Sequence, residues 1–208
     1  MMKKTFKYMV LALFLCACQS LRPEKVEIVT LGVVPDDVVV AAEAGEGSAR
    51  VIADRDYQVE VLSGADWLFV TSVTREAIGF SYRENTGFRR SASVKVSADG
   101  REDVLLVKQE GPLQEMVQLS EHNRTVPSAG ETVRLRVLSN LPSDFFLPSA
   151  SNDKAIVHLQ LADYQLSFDV LPTTNRDKRT YTVNVTYTDG WGDIVSDSME
   201  IQQLAYDN

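Results

Sequence analysis

Apolar and polar residues alternate along most of this chain, in short runs broken by turn residues. "YQVEVLS" sets Tyr57, Val59 and Val61 against Gln58 and Glu60, and "DWLFVTS" puts Trp67, Phe69 and Thr71 on one side. "AIGFSYRE" aligns Ile78, Phe80 and Tyr82. In "RRSASVKVSADGREDVLLVKQ", Ala92, Val94 and Val96 face one way, while Ser91, Ser93, Lys95 and Ser97 face the other. Asp99-Gly100 then turns the chain, and Val104 to Val107 returns. Upstream, "VVVAAEAGEGSARVIA" reads as a strand, a glycine-rich turn at Gly45 to Gly47, and a second strand. A period of two is that of a strand buried on one face. Few windows carry the 3.6 spacing of a helix. Short strands with turn signals about every ten residues predict a β-sandwich, not a parallel α/β sheet.

After Gly111-Pro112 the pattern starts again. "ENTGFRRSASVKV" resembles "TTNRDKRTYTVNV", which aligns Arg90 with Arg179, Ala92 with Tyr181, Val94 with Val183 and Val96 with Val185. "LLVKQ" resembles "MEIQQ", which aligns Leu105 with Met199, Val107 with Ile201 and Gln109 with Gln203. The offset grows between the two motifs, so the second copy holds five extra residues in its last hairpin. "AGETVRLRVLSN", from Ala129, echoes "AGEGSARVIADR", from Ala44. The prediction is two tandem domains, residues 26–112 and 113–208. Each buries roughly two thirds of its unfolded surface, enough to fold without covalent staples.

The N-terminus belongs to neither copy. Lys3, Lys4 and Lys7 precede an apolar run from Tyr8 to Leu15, and "LCAC" places small Ala17 directly before Cys18. That is a secretory signal, too short to span a membrane. Its end fits a lipobox, with residues 1–17 cleaved, Cys18 lipidated and 18–25 a tether; plain cleavage nearby is the alternative. Cys16 is the weaker candidate because bulky Leu15 precedes it. With Cys16 removed and Cys18 acylated, no thiol is left for a disulfide, although the compartment would permit one. Several acyl chains on one cysteine hold it firmly at a bilayer.

A resemblance now becomes visible. The "ADWLFV" strand, "ENTGFRRSASVKV" and the closing "VLLVKQEG" resemble the BACON domain (Bacteroidetes-associated carbohydrate-binding, often N-terminal) over about residues 36–111. The match is weaker over 116–204, where nothing corresponds to "DWLFV". It implies an immunoglobulin-like sandwich in an outer-membrane lipoprotein of a glycan-degrading bacterium. Such modules are proposed to bind glycans or to hold a catalytic module off the membrane. No catalytic module follows here, so a spacer's cargo would be a separate lipoprotein or enzyme chain.

Charge and chemistry refine the expectation. The chain has 21 basic and 29 acidic residues, and loss of the signal lysines takes its net charge from −8 to about −11. Such a polyanion has no electrostatic drive toward nucleic acid. Nucleophile elbows and Cys–His pairs are absent, and His122 and His158 lack the spacing of a zinc site. Acidic pairs such as Asp36-Asp37 sit in turns, without a cleft to hold a glycosidic bond. The expectation is a non-catalytic protein without cofactor or metal.

Trp67 reads as the large buried anchor of a sandwich. Trp191 is different, because it lies in "TDGWGDI" between two glycines, inside the enlarged hairpin. An indole at a loop tip covers something: a glycan, its own hairpin, or the other domain. Asp189 and Asp193 bracket it as candidates for sugar hydroxyls or calcium, though two carboxylates make a thin cation site. Glycan binding through this loop is one expectation; a spacer or protein-docking scaffold without sugar affinity is the other. Gln19-Ser20-Leu21-Arg22 lacks an acidic pair after the cysteine, which leans toward the periplasmic face of the outer membrane and leaves the surface face open.

Overall fold

The computed structural model describes residues 30–207. The signal, Cys18 and the 18–25 tether lie outside the described residues. Domain 1 contains β1 (Leu31–Val34), β2 (Asp37–Val40), β3 (Gly45–Ala53), β4 (Gln58–Ser63), β5 (Leu68–Val73), β6 (Ala77–Tyr82), β7 (Arg90–Ala98) and β8 (Arg101–Gln109). Domain 2 contains β9 (Val117–Leu119), β10 (Asn123–Val126), β11 (Glu131–Ser139), β12 (Leu147–Ala150), β13 (Ile156–Ala162), β14 (Gln165–Val170), β15 (Arg179–Thr188) and β16 (Ile194–Gln203). A short 3₁₀ turn at Ser143–Phe145 precedes β12.

Each domain is two four-stranded sheets. In domain 1 the orders are β1-β3-β6-β5 and β2-β8-β7-β4; in domain 2 they are β9-β11-β14-β13 and β10-β16-β15-β12. The first strand of each copy is split: β1 pairs antiparallel with β3, while β2 crosses to pair parallel with β8. β9 and β10 repeat this with β11 and β16. Two sheets joined this way form an immunoglobulin-like sandwich.

The alternation is what makes the cores. Ala92, Val94 and Val96 are fully buried on β7, facing Leu105 and Val107 on β8. Val183, Val185, Met199 and Ile201 are their counterparts in domain 2. The register agrees across copies: Arg90 pairs with Gln109 and Ala92 with Val107, as Arg179 pairs with Gln203 and Tyr181 with Ile201. The last hairpin of domain 1 closes through Asp99-Gly100 after the Ala98–Arg101 pair. That of domain 2 extends to Thr188–Ile194 and closes through Asp189–Asp193, which accounts for the extra residues.

Three local expectations need correction. Trp67 does not lead a strand with Phe69 on its face. The amides of Trp67 and Leu68 both donate to the Gly64 carbonyl, at 3.1 and 2.9 Å, so the chain turns there and alternation begins at Leu68. Leu68 and Val70 point inward; Phe69 points outward beneath the Arg83 guanidinium. Gly45 and Gly47 are not a turn but the start of β3. A Cβ there would meet the Tyr82 hydroxyl or the Phe80 ring at 2.6 Å, so these glycines make room for the rings on β6. Finally, the "AGE" echo is one residue out of register. Gly45 faces Tyr82 where Glu131 faces Val170, and buried Ala49 and Val51 correspond to Leu135 and Val137. Letter-by-letter matching would pair Ala49 with exposed Arg134, and in a strand a slip of one turns every side chain to the other face.

Candidate functional site: the junction between the domains

The enlarged hairpin loop of domain 2 is ordered by its own first residue. Asp189 Oδ1 accepts hydrogen bonds from the amides of Trp191 (2.8 Å) and Asp193 (2.9 Å). The Asp189 amide donates to the Asp193 carbonyl at 2.9 Å, closing the loop base. The carboxylate is buried and its other oxygen pairs with the Arg89 guanidinium of domain 1. Arg89 reaches Asp193 as well, at 3.2 Å, and lies 5.0 Å from the Trp191 ring centroid. One cation thus neutralises the buried carboxylate and stacks on the indole, a placement that needs the planar guanidinium.

Trp191 itself faces domain 1. Its Nε1–H donates to the carbonyls of Arg90 and Gln109, each at 3.2 Å. These two residues are the pair that ends the β7–β8 ladder, so the indole caps backbone acceptors where the sheet runs out. Gly190 is required by this approach. A Cβ on it would stand 2.2 Å from the Arg89 carbonyl.

Domain 1 reciprocates with the loop between β6 and β7. Asn85 Nδ2 donates to the carbonyls of Phe88 (2.7 Å) and Glu110 (2.9 Å), tying this loop to the segment leaving β8. The Leu113 amide donates to the Gly87 carbonyl at 3.3 Å, and Phe88 and Leu113 form a parallel bridge. Phe88 then packs its ring against the core of domain 2. Two loops therefore interlock: "TGFRR" enters domain 2 and "DGWGD" enters domain 1.

Behind this contact lies a buried amide. Gln109 is fully buried, and its Nε2 donates to the carbonyls of Ala41 (3.1 Å), Ala42 (3.2 Å) and Arg83 (2.9 Å). Its Oε1 accepts from Arg90 Nε at 2.9 Å. The Arg90 guanidinium lies over the Trp67 ring, 4.5 Å from its centroid; burial lowers its pKa, partly offset by Asp66. Arg90 thus connects the core anchor of domain 1 to the acceptor that Trp191 caps.

Of the sequence candidates, Asp189, Trp191 and Asp193 do come together, and what they meet is domain 1. A glycan at this loop would compete with Arg89 and with the carbonyls of Arg90 and Gln109. Phe88, Arg89, Arg90 and Gln109 were not anticipated as a site. The Gln109–Gln203 match was visible but reads only as a strand motif, and nothing local distinguishes Phe88 from other apolar loop residues. The histidines lie elsewhere: His122 Nε2 is 2.8 Å from Asp197, and His158 Nδ1 is 2.7 Å from Asp169. Among the described residues, no three of His, Cys, Asp and Glu group as metal ligands.

No family model matches the chain, and no curated protein matches it. Solved structures similar to it include a chimeric titin Z1Z2-Z1Z2 tandem, 10% identical with a TM-score of 0.40, over 86% of this chain and 100% of that one. The titin Ig tandem A164-A165 is 8% identical with a TM-score of 0.31, over 86% and 97% of the two chains. An endo-fucoidan hydrolase of glycoside hydrolase family 107 is 12% identical with a TM-score of 0.32, over 82% of this chain. The chain spans 28% of that hydrolase's length. These likenesses concern fold alone.

Proposed function

We propose that this protein is a non-catalytic lipoprotein of the outer membrane, held through Cys18, whose two sandwiches act as a stiff spacer and protein-docking scaffold. The observation that carries this reading is the engagement of Trp191. The residue most suited to stack on a sugar instead caps two carbonyls of the preceding domain, with Arg89 closing over it. Separating the domains would break several contacts at once: the Arg89 pairs with Asp189 and Asp193, the two indole hydrogen bonds, and the packing of Phe88 on the core of domain 2. Relative domain motion is the default for linked domains, and an interlocked junction removes it. The resemblance of the strand motifs to the BACON domain fits this role as well as it fits glycan capture.

Small-angle scattering of the mature chain in solution tests the spacer. Arg89→Asp repels Asp189 and Asp193, so the variant should scatter as two hinged bodies, whereas the parent scatters as one. Equal flexibility in both removes the reading. Affinity electrophoresis in polysaccharide gels addresses the glycan alternative. Retardation that depends on Trp191 would transfer the function to sugar binding. Protease shaving of intact cells then tells which face of the outer membrane the scaffold occupies.

A further inference from the structure

The two domains carry the same turn before β5 and β13. The amides of Ala155 and Ile156 both donate to the Asn152 carbonyl, as those of Trp67 and Leu68 do to Gly64. The Leu171 amide donates to the Ala155 carbonyl at 2.9 Å, as Arg83 does to Trp67 at 2.9 Å. Ala155 is therefore the structural counterpart of Trp67, although no sequence motif marks it. Where domain 1 packs an indole, domain 2 has a methyl group and an open cleft of about 280 Å³.

The surroundings of that cleft keep the chemistry that surrounds Trp67. Its walls are Ala155, Leu171, Pro172 and Tyr181, and its rim carries Lys154 and Arg179. Tyr181 replaces Ala92 and donates its hydroxyl to Gln203 Oε1 at 3.2 Å, the role Arg90 performs on Gln109. The Arg179 side chain is thereby released: it is exposed and makes no hydrogen bond or ion pair among the described residues. Its counterpart Arg90 stacks on an indole. Lys178 and Arg179 align with Arg89 and Arg90 of domain 1, and among the described residues no acidic loop pairs with them as "DGWGD" does in domain 1. The end of domain 1 is closed by an indole inside and another outside; among the described residues the same end of domain 2 has neither.

We propose that this end of domain 2 is a socket for a partner protein segment that presents an indole flanked by carboxylates. The ring enters the cleft beneath the Arg179 guanidinium, and the carboxylates face Lys154 and Lys178. At about 280 Å³ the volume lies just below the range of ligand clefts, roughly 300–1,000 Å³, and suits one ring system anchored by a cation. Charge argues the same way: the lining of the cleft includes Lys154 and Arg179 and no carboxylate, so in a chain of net charge −8 it favours an acidic partner. The proposal rests on the docking-scaffold reading and names the surface that docks.

The probe is a cyclic peptide carrying this chain's own Thr188–Ile194 sequence, titrated into the isotopically labelled mature chain in detergent micelles. Gln109 and Gln203 supply paired reporters, one at each end. The side-chain amide of Gln203 and the backbone amides of Ala155 and Arg179 should shift saturably, while those of Gln109 stay still. The same peptide with Trp191→Ala should bind at least about tenfold more weakly, the usual cost of deleting an aromatic anchor. Arg179→Glu in the protein, an exposed change that leaves the fold intact, should weaken binding to the same extent. Ala155→Trp should rebuild the arrangement of domain 1 and abolish the shifts. Because Tyr181 crowds that position, Arg179→Glu decides the matter if Ala155→Trp fails to fold. Absence of shifts at Gln203, equal binding of the alanine peptide, or indifference to Arg179→Glu overturns the proposal. Shifts at Gln203 from an oligosaccharide but not from the peptide overturn it too, in favour of a sugar site. Scattering by the Arg89→Asp variant is independent of all these outcomes, so the socket and the spacer fall separately.

Discussion

Domain 1 and domain 2 share strand order, register and a fully buried glutamine at the end of the last strand, yet they close that end differently. Domain 1 sets large Trp67 against small Ala92; domain 2 sets small Ala155 against large Tyr181. Gln109 takes its acceptor bond from Arg90, and Gln203 from Tyr181. In domain 2 the exchange leaves a cleft of about 280 Å³ between Ala155 and Tyr181. Period-two burial therefore tolerates a swap of anchor side without any change of topology, because each sheet face needs only a filled interior. What the swap alters is the surface: it frees one arginine and opens one socket. The same fold then closes this end of domain 1 and, among the described residues, leaves it open in domain 2.

The comparison can be broken in several ways. The largest expected effect is on the core anchor. Trp67→Ala should destabilise domain 1 by about 3–5 kcal/mol, the range for deleting a buried tryptophan. Urea unfolding followed by domain-specific amide signals should show domain 1 unfolding first, with domain 2 losing only what the junction contributes. A loss in domain 1 below about 1 kcal/mol would mean that Trp67 is not its anchor.

Next come the buried amides. Gln109 donates to three carbonyls, whereas Gln203 donates to Leu171 at 2.8 Å and only distantly, at 3.5 Å, to Pro127. Leaving a buried polar group unsatisfied costs about 1–3 kcal/mol. Gln109→Leu should therefore cost domain 1 more than Gln203→Leu costs domain 2, and equal losses in calorimetry would contradict the difference in their networks.

The smallest effect concerns acid. Burial raises the pKa of Asp197, but hydrogen bonds from the Leu119 and Ser198 amides and from His122 outweigh it, and the net shift is downward. A folded pKa below the unfolded value of about 3.9 means that its stabilisation is complete above about pH 4. It is lost as pH falls through the lowered folded value. Domain 2 should shed on the order of 1 kcal/mol in that acid range, and Asp197→Asn should flatten the slope. Domain 1 has the same tie without the histidine: Asp103 on β8 accepts a hydrogen bond from the Val33 amide of β1 at 2.7 Å.

Much of the fold was legible beforehand. Alternation in "SASVKV" and "YTVNV" set which residues face inward, and the Gln109–Gln203 match set the register of the last hairpins. Legibility failed where backbone geometry departs from pure extension. The Gly64 turn displaced the phase of "DWLFV" by one residue, and rings on β6 turned Gly45 and Gly47 from turn residues into strand residues. The site was half legible. Asp189, Trp191 and Asp193 stood out by their glycines and by the length of their loop, but what they touch depends on the distant Arg89.

By itself, then, the sequence determined the strands, their inward faces, the doubling of the domain and the presence of an unusual indole. Those follow from local burial periodicity, which each strand carries in its own letters. Only the tertiary structure decided that Trp191 caps the preceding domain, that Ala155 stands where Trp67 stands, and that Arg179 is left facing an open cleft. Trp191 meets its acceptors 101 and 82 positions away, and the cleft gathers residues from Asn152 to Gln203, so no local pattern encodes these contacts.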